Sequence, residues 1–305
     1  MGSGTHAKTQ SKGVLLLLLT AFIWGTAFIA QSKGMDLVDA FTFSGVRTVL
    51  AALALMIAWL FRRAIGKTAL DGQGNVPDKR KTLIYGTILG VAYFFCSNFQ
   101  QFAFYYTTAG KIAFITTLYV FFVPLISLFL GKKIPPVMWI CVAMGFVALY
   151  FLCIKPGDDF SINRGDLLTV LCALLFAVHI LLIERYSPVT DGIELSCIQF
   201  TVAGALSVIM MFIFENPSLP AIIGARYSLL YAGVLSGAVA YTLQIVGQKY
   251  PEATLASLLM CMESVFAVIA SALILHERMS GREIFGCVLM FVSVVAANLV
   301  SAKQS

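Results

Sequence analysis

Charge is what this sequence has least of. Asp, Glu, Lys and Arg make up 12% of its 305 residues, against roughly 25% in soluble domains. That scarcity excludes the pair of water-soluble domains that the length alone allows. Motifs are missing too. No Asp lies in the interior of any long apolar run, so the paired acids of an intramembrane aspartyl protease are absent. No Gly-rich loop ends in Lys-Ser or Lys-Thr, so an ATP-driven pump lacks its phosphate cradle. Seven cysteines lie in or beside apolar runs without CxxC or Cys/His spacing; they are expected as soft packing residues, not as a zinc centre or disulfide framework. Ser236 in "GVLSG" has neither His179 nor His276 in a recognisable hydrolase context. These absences point away from an enzyme and from any metal or cofactor.

What is present is apolar sequence: 59% of residues are hydrophobic, and mean hydropathy is +0.89. A helical span of a bilayer needs about 20 mostly apolar residues, and ten runs qualify: 13–33, 40–61, 82–104, 109–130, 137–154, 166–186, 195–214, 227–248, 253–275 and 283–301. The fold class is therefore an all-α integral membrane protein with ten transmembrane helices. The first run follows Lys8 and Lys12, but it is long for a signal peptide and lacks a small-residue cleavage site, so it is read as a retained span. The start "MGSGTH" has His6 where a myristoylation motif wants Ser or Thr. With ten spans both termini share one face. That face carries 13 Lys and Arg against 7 on the other, largely through the 62–81 loop. The positive-inside rule places both termini in the cytoplasm, for a protein of the cell (inner) membrane. The net charge of +6 sits in these short loops, so it marks topology and predicts no nucleic-acid partner.

The two halves of the chain match. "LGKKIPP" after the fourth run corresponds to "LHERMSG" after the ninth, about 145 residues later. Gly86 and Gly90 in the third run correspond to Gly233 and Gly237 in the eighth. A five-span unit repeated in tandem enters the membrane from opposite sides, giving two inverted repeats, an arrangement that puts substrate sites of secondary transporters near the midplane. The expected division is a tail, 1–12, a first repeat, 13–155, and a second, 166–303.

Polar residues inside the runs fall in stripes. The third run carries Gly86, Gly90, Tyr93, Ser97 and Gln100 or Gln101; the eighth carries Gly233, Gly237, Tyr241, Gln244 and Gln248, all at helical spacing. Such faces belong inside a bundle, with glycines admitting a neighbouring backbone and amides converging on a cavity or on each other. Glu263 is the one acid in "LLMCMESVFAVIASALIL" and lies about ten residues into its run, near mid-depth. His179 lies somewhat to the cytoplasmic side of the middle. Intramembrane ionisable groups mark pathways, so both are candidates for proton coupling. Trp24 and Tyr119 are also near mid-depth, away from the interfacial aromatic belts. Arg47 needs a carbonyl, an acid or water as partner; Glu184 and Arg185 read as interfacial, and Lys111 as snorkelling.

"FIWGTAFIAQSKG…AFTFSGVRTVLAALAL", "YYTTAGKIAFITTLYVFFVPLISLFLGKK" and "EATLASLLMCMESVFAVIASALILHERMSGREIFG" together resemble EamA-type members of the drug/metabolite transporter superfamily across nearly the whole chain. The resemblance implies ten helices, cytoplasmic termini, a central cavity with alternating access, and proton-linked export of amino acids, other metabolites or toxic compounds. It departs at Lys132 and Lys133, where the family often has an acid after the glycine, with Glu277 keeping that acid in the second half. It departs again at Ser264, where a proline is common. The expected function is export of a small polar or amphipathic metabolite. The expected cavity is lined by Trp24, Tyr93, Ser97, Gln101, Tyr119, His179, Tyr241, Gln244 and Glu263, with Glu263 and His179 carrying protons. Alternatives are an importer of the same fold and a membrane sensor or assembly subunit that binds without transporting. The expected partners are a small-molecule substrate, protons and the lipid bilayer, in a monomer or homodimer.

Overall fold

A computed structural model describes residues 3–72, 74–154, 162–274 and 279–302; His276 and Glu277 lie outside the described residues. Ten helical segments are long and apolar enough to cross a membrane. They are Ser11–Met35 (span 1), Ala40–Ala64 (span 2), Lys79–Ala103 (span 3), Ala109–Phe129 (span 4), Pro136–Cys153 (span 5), Arg164–Val189 (span 6), Gly192–Phe214 (span 7), Arg226–Gly247 (span 8), Ala253–Ala270 (span 9) and Gly281–Ala302 (span 10). The protein is an all-helical, multi-pass membrane protein, and the ten apolar runs correspond one to one with these spans. Their ends differ from the apolar limits by a few residues because the first turns are capped from polar flanks. Asp78 accepts from the Arg80 and Lys81 amides at 2.8 and 3.2 Å. Asp191 accepts from Ile193 and Glu194, both at 3.0 Å. Asn163 and Asp166 form a reciprocal capping box at the head of span 6. Gly131, at φ +81°, closes span 4 in the left-handed conformation that glycine adopts at no steric cost.

The halves interlock rather than sit side by side. Span 2 packs along span 7, span 3 along spans 6 and 7, span 1 along spans 8 and 9, and span 5 along span 10. The glycine pairs make this possible. A Cβ at Gly90 would come within 2.7 Å of the Gln199 carbonyl on span 7, and one at Gly233 within 2.7 Å of the Arg47 carbonyl on span 2. The stripes therefore seat span 3 against span 7 and span 8 against span 2, the same pairing in each half.

Three features go beyond the uninterrupted helices expected. Span 4 divides into Ala109–Thr116 and Tyr119–Phe129, and span 9 into Ala253–Met260 and Met262–Ile274. At the joints the backbone takes tighter three-residue steps, Leu118 to Ile115 at 3.1 Å and Ser264 to Cys261 at 3.2 Å. Tyr119 and Glu263 each stand ten residues beyond the first residue of their span, Ala109 and Ala253. Span 8 is π-helical over Tyr231–Ala240. The connection before span 8 contains a short helix, Leu219–Gly224.

Candidate functional site

The two joints and the π-helical stretch border one narrow cavity of about 50 Å³ between spans 1, 2, 3, 4, 6, 8 and 9. Trp24, Tyr93, Ser97, Tyr119, Tyr241, Gln244 and Glu263 all line it, so most of the residues picked from sequence converge there. The aromatic wall is continuous. Tyr241 lies 4.7 Å from Trp24 and 4.9 Å from Tyr93, centroid to centroid, separations typical of tilted and edge-to-face contacts. The Trp24 indole donates to the Ser236 carbonyl at 3.3 Å, fixing the ring against the π-helical segment of span 8.

Two of the expected lining residues stand elsewhere. His179 is fully buried, shares a 3.1 Å hydrogen bond with the Gln199 amide and sits behind the rings of Tyr93, Phe176 and Tyr241. Gln101 is fully buried, and neither end of its amide has a hydrogen-bond partner among the described residues. Its neighbour Gln100 lines the cavity instead and donates to Thr116 at 3.1 Å. One residue is a rotation of 100° on a helix, enough to turn one amide into the cavity and the other away.

The lining also includes Gln31 and Arg47, which sequence reasoning did not assign to the site. Arg47 is 5% exposed. Its Nη1 donates to Gln31 Oε1 at 2.7 Å, joining spans 1 and 2. In the second half a different bond, His179 to Gln199, joins spans 6 and 7. Arg47 and Gln199 each stand seven residues beyond the first residue of their span, Ala40 and Gly192. The signal was in the sequence as a lone cation inside a run; what it lacked was the direction in which the side chain points.

Glu263 is 4% exposed, and its carboxylate has no hydrogen-bond or ion-pair partner among the described residues. It lines a second cavity as well, a vestibule of about 250 Å³. That vestibule runs past Ala109 and Gly110 at the start of span 4, Cys153 at the end of span 5 and Glu283 at the start of span 10, all at the face away from the termini. Small residues, Ala113, Ser264 and Ala267, keep it open beside the carboxylate. Gly25 of span 1 packs directly on the Glu263 backbone: a Cβ there would collide with the Glu263 carbonyl oxygen and come within 2.9 Å of the Ala267 nitrogen.

Towards the terminus-bearing face the cavity is closed by polar contacts. Gln244 donates to Gln248 at 2.9 Å, and Gln248 to the Ile180 carbonyl at 3.2 Å. Below them Glu184 is ion-paired with Lys132 at the end of span 4 and accepts from the Ala253 amide, at the head of span 9, at 2.9 Å. Arg62 pairs with Asp191 at 2.7 Å, and Lys249 donates to the Thr190 carbonyl at 3.0 Å. Burial pushes the Lys249 ammonium's pKa down, against the opposing pull of Asp191 and Asp71. At the opposite face Lys111 is ion-paired with Asp166 at 2.9 Å, rather than extended to the surface. Glu184, expected as an interfacial residue, thus ties spans 4, 6 and 9 together.

Known proteins of the same build agree with this architecture. The chain is 28% identical to an "uncharacterized transporter" of Archaeoglobus fulgidus, covering 93% of this chain and 84% of that one. It is 23% identical to the "uncharacterized transporter YoaV" of Bacillus subtilis, covering 96% and 99%. A solved crystal structure shares the fold with a TM-score of 0.78 over 97% of this chain and 99% of its own, at 17% identity. The model of the EamA-like transporter family matches twice, at residues 11–154 and 163–299. The chain, a membrane transporter by descent, belongs to the EamA-like transporter family.

Proposed function

We propose that this protein is a secondary active transporter that exports a small polar or amphipathic metabolite from the cytoplasm by alternating access, coupled to protons through Glu263. The observation that carries the reading is the position of Glu263. It lines both the central cavity and the vestibule and has no partner of its own among the described residues. A carboxylate at a joint between two compartments exchanges protons with whichever side is open. The cationic group of a cargo competes with the proton for the same oxygens, which is the requirement for exchange. In this reading the repeats, 13–155 and 166–303, rock about the shared cavity, the termini face the cytoplasm of a bacterial- or archaeal-type cell membrane, and the present arrangement is open outward. Trp24, Tyr93, Tyr119 and Tyr241 form the apolar wall for the cargo, and Ser97 and Gln244 its polar contacts. His179 and Gln101 act from behind this wall, by holding it in place.

The test is flux in proteoliposomes. Glu263→Gln is expected to abolish uptake driven by a pH gradient while substrate counterflow continues. An unchanged pH dependence in that variant removes Glu263 as the proton carrier. Binding without flux under any imposed gradient removes the transporter reading in favour of a sensor.

A further inference from the structure

Spans 4 and 9 are the two jointed spans, and their halves have different surroundings. The halves on the side away from the termini, Ala109–Thr116 and Met262–Ile274, border the vestibule. The terminus-side halves, Tyr119–Phe129 and Ala253–Met260, pack on each other and on span 6. One carboxylate reaches both of them. Glu184, near the end of span 6, is ion-paired through Oε2 with Lys132, just beyond Phe129, and its Oε1 accepts from the Ala253 amide at 2.9 Å. The other polar contacts of that face bypass spans 4 and 9. Arg62 with Asp191 joins spans 2 and 7, Gln248 with the Ile180 carbonyl joins spans 8 and 6, and Lys249 reaches Thr190 in the turn between spans 6 and 7. Lys111 with Asp166 also pins span 4 to span 6, but at the far end.

A joint lets one half of a helix tilt while the other keeps its place, because a few residues absorb the change. Resting on the alternating-access reading above, we infer that Glu184 is a positioning residue of the transport cycle: it is the latch that holds the terminus-side halves of spans 4 and 9 on span 6 and so keeps that face shut while the vestibule is open. The two halves pack on each other, so they leave span 6 as a unit, and both oxygens of Glu184 release together. The contacts suit a latch that must reopen. Lys132 is half-exposed, which limits what its pair contributes. Once the face opens, the freed carboxylate, ammonium and Ala253 amide meet water, so no group is left buried without a partner. A fully buried pair would hold the face too firmly, since separating it strands a charge.

The experiment uses the full-length protein in sealed vesicles, with a reporter thiol introduced by Gln248→Cys. Gln248 is 1% exposed and lies between the cavity residue Gln244 and the terminus-bearing face. A membrane-impermeant maleimide added on that side therefore reaches position 248 only when the face opens, at a rate proportional to the open fraction. Lys132→Gln removes the pair and keeps the cap on Ala253. It is expected to raise the rate about two- to fivefold, the equilibrium shift that an exposed pair can make. Lys132→Glu, which sets like charges together, should raise it further. Adding Glu184→Lys to Lys132→Glu restores a pair without the cap and should bring the rate part of the way back. Cys96 and Cys172, both fully buried, should stay unreactive throughout, which separates an opened face from an unfolded chain. An unchanged rate at position 248 in both single Lys132 variants overturns the latch. So does a rate that rises only together with those of Cys96 and Cys172. The labelling needs no cargo, so either result leaves the transporter reading standing; that reading falls only on an absence of flux.

Discussion

Gln100 and Gln101 are adjacent, chemically identical and equally at home in the polar stripe of span 3, yet only Gln100 lines the cavity. Gln101 spends its amide on nothing. Replacing a buried, unsatisfied amide by an apolar group of similar size is neutral or stabilising. Gln101→Leu should therefore leave or raise the melting temperature and leave uptake intact, whereas Gln100→Leu, which strips the Thr116 contact and a cavity wall, should weaken cargo binding severalfold; thermal melts and counterflow rates compare the two. The Tyr119 hydroxyl is similarly unpartnered, but it lines the cavity, so Tyr119→Phe is expected to preserve stability and alter affinity. Gly25 stands at the other extreme. Even Gly25→Ala forces a Cβ into the Glu263 carbonyl, and overpacking of this kind costs about 1–3 kcal/mol; a lowered melting temperature measured in detergent would register it. Composition and spacing identified which residue types belong inside the bundle. They left open which of two neighbouring amides faces the ligand and whether a lone arginine points inward, because both depend on a helix's rotation about its axis.

Ten helices and their order were legible in the apolar runs, because hydrocarbon admits only helices and closed barrels, and runs of about 20 apolar residues fit a helix rather than a barrel strand. The joints in spans 4 and 9 were not. Neither Thr117–Leu118 nor Cys261 carries a glycine or proline, and the apolar run passes through both without change; the tight steps reflect packing against neighbouring spans rather than local sequence. Pro124 is in span 4, but inside its second segment. Glu184 was similarly underread. At the level of sequence it is one more acid at a membrane boundary, and only the packing brings it to the amide that opens span 9. Its loss has two separable parts. Removing the cap on the Ala253 amide should cost about 0.5–2 kcal/mol, while the half-exposed pair with Lys132 contributes at most about 1 kcal/mol. Glu184→Gln keeps a capping oxygen and loses the pair, and Glu184→Ala loses both. Hydrogen exchange in the first turn of span 9 should therefore rise slightly in the first variant and strongly in the second. Equal exchange in both would show that the cap does not hold that turn.

On the scale of the whole molecule, the duplication was visible in four glycines and two loop fragments, and the structure extends it to the pairing of spans. A reporter fused at the C-terminus should report the cytoplasmic side and one in the 215–226 connection the opposite side, which topology assays in intact cells would read directly; the reverse result would turn the molecule over. The correspondence of Tyr119 with Glu263 has a further consequence, historical rather than mechanical. A transporter assembled from two identical, oppositely inserted half-chains would carry the same side chain at both positions, either two acids crowding one cavity or none. Two non-identical halves let the two positions differ. The carboxylate beside a phenol is thus something that two identical half-chains cannot hold, and it gives an otherwise two-fold site a top and a bottom.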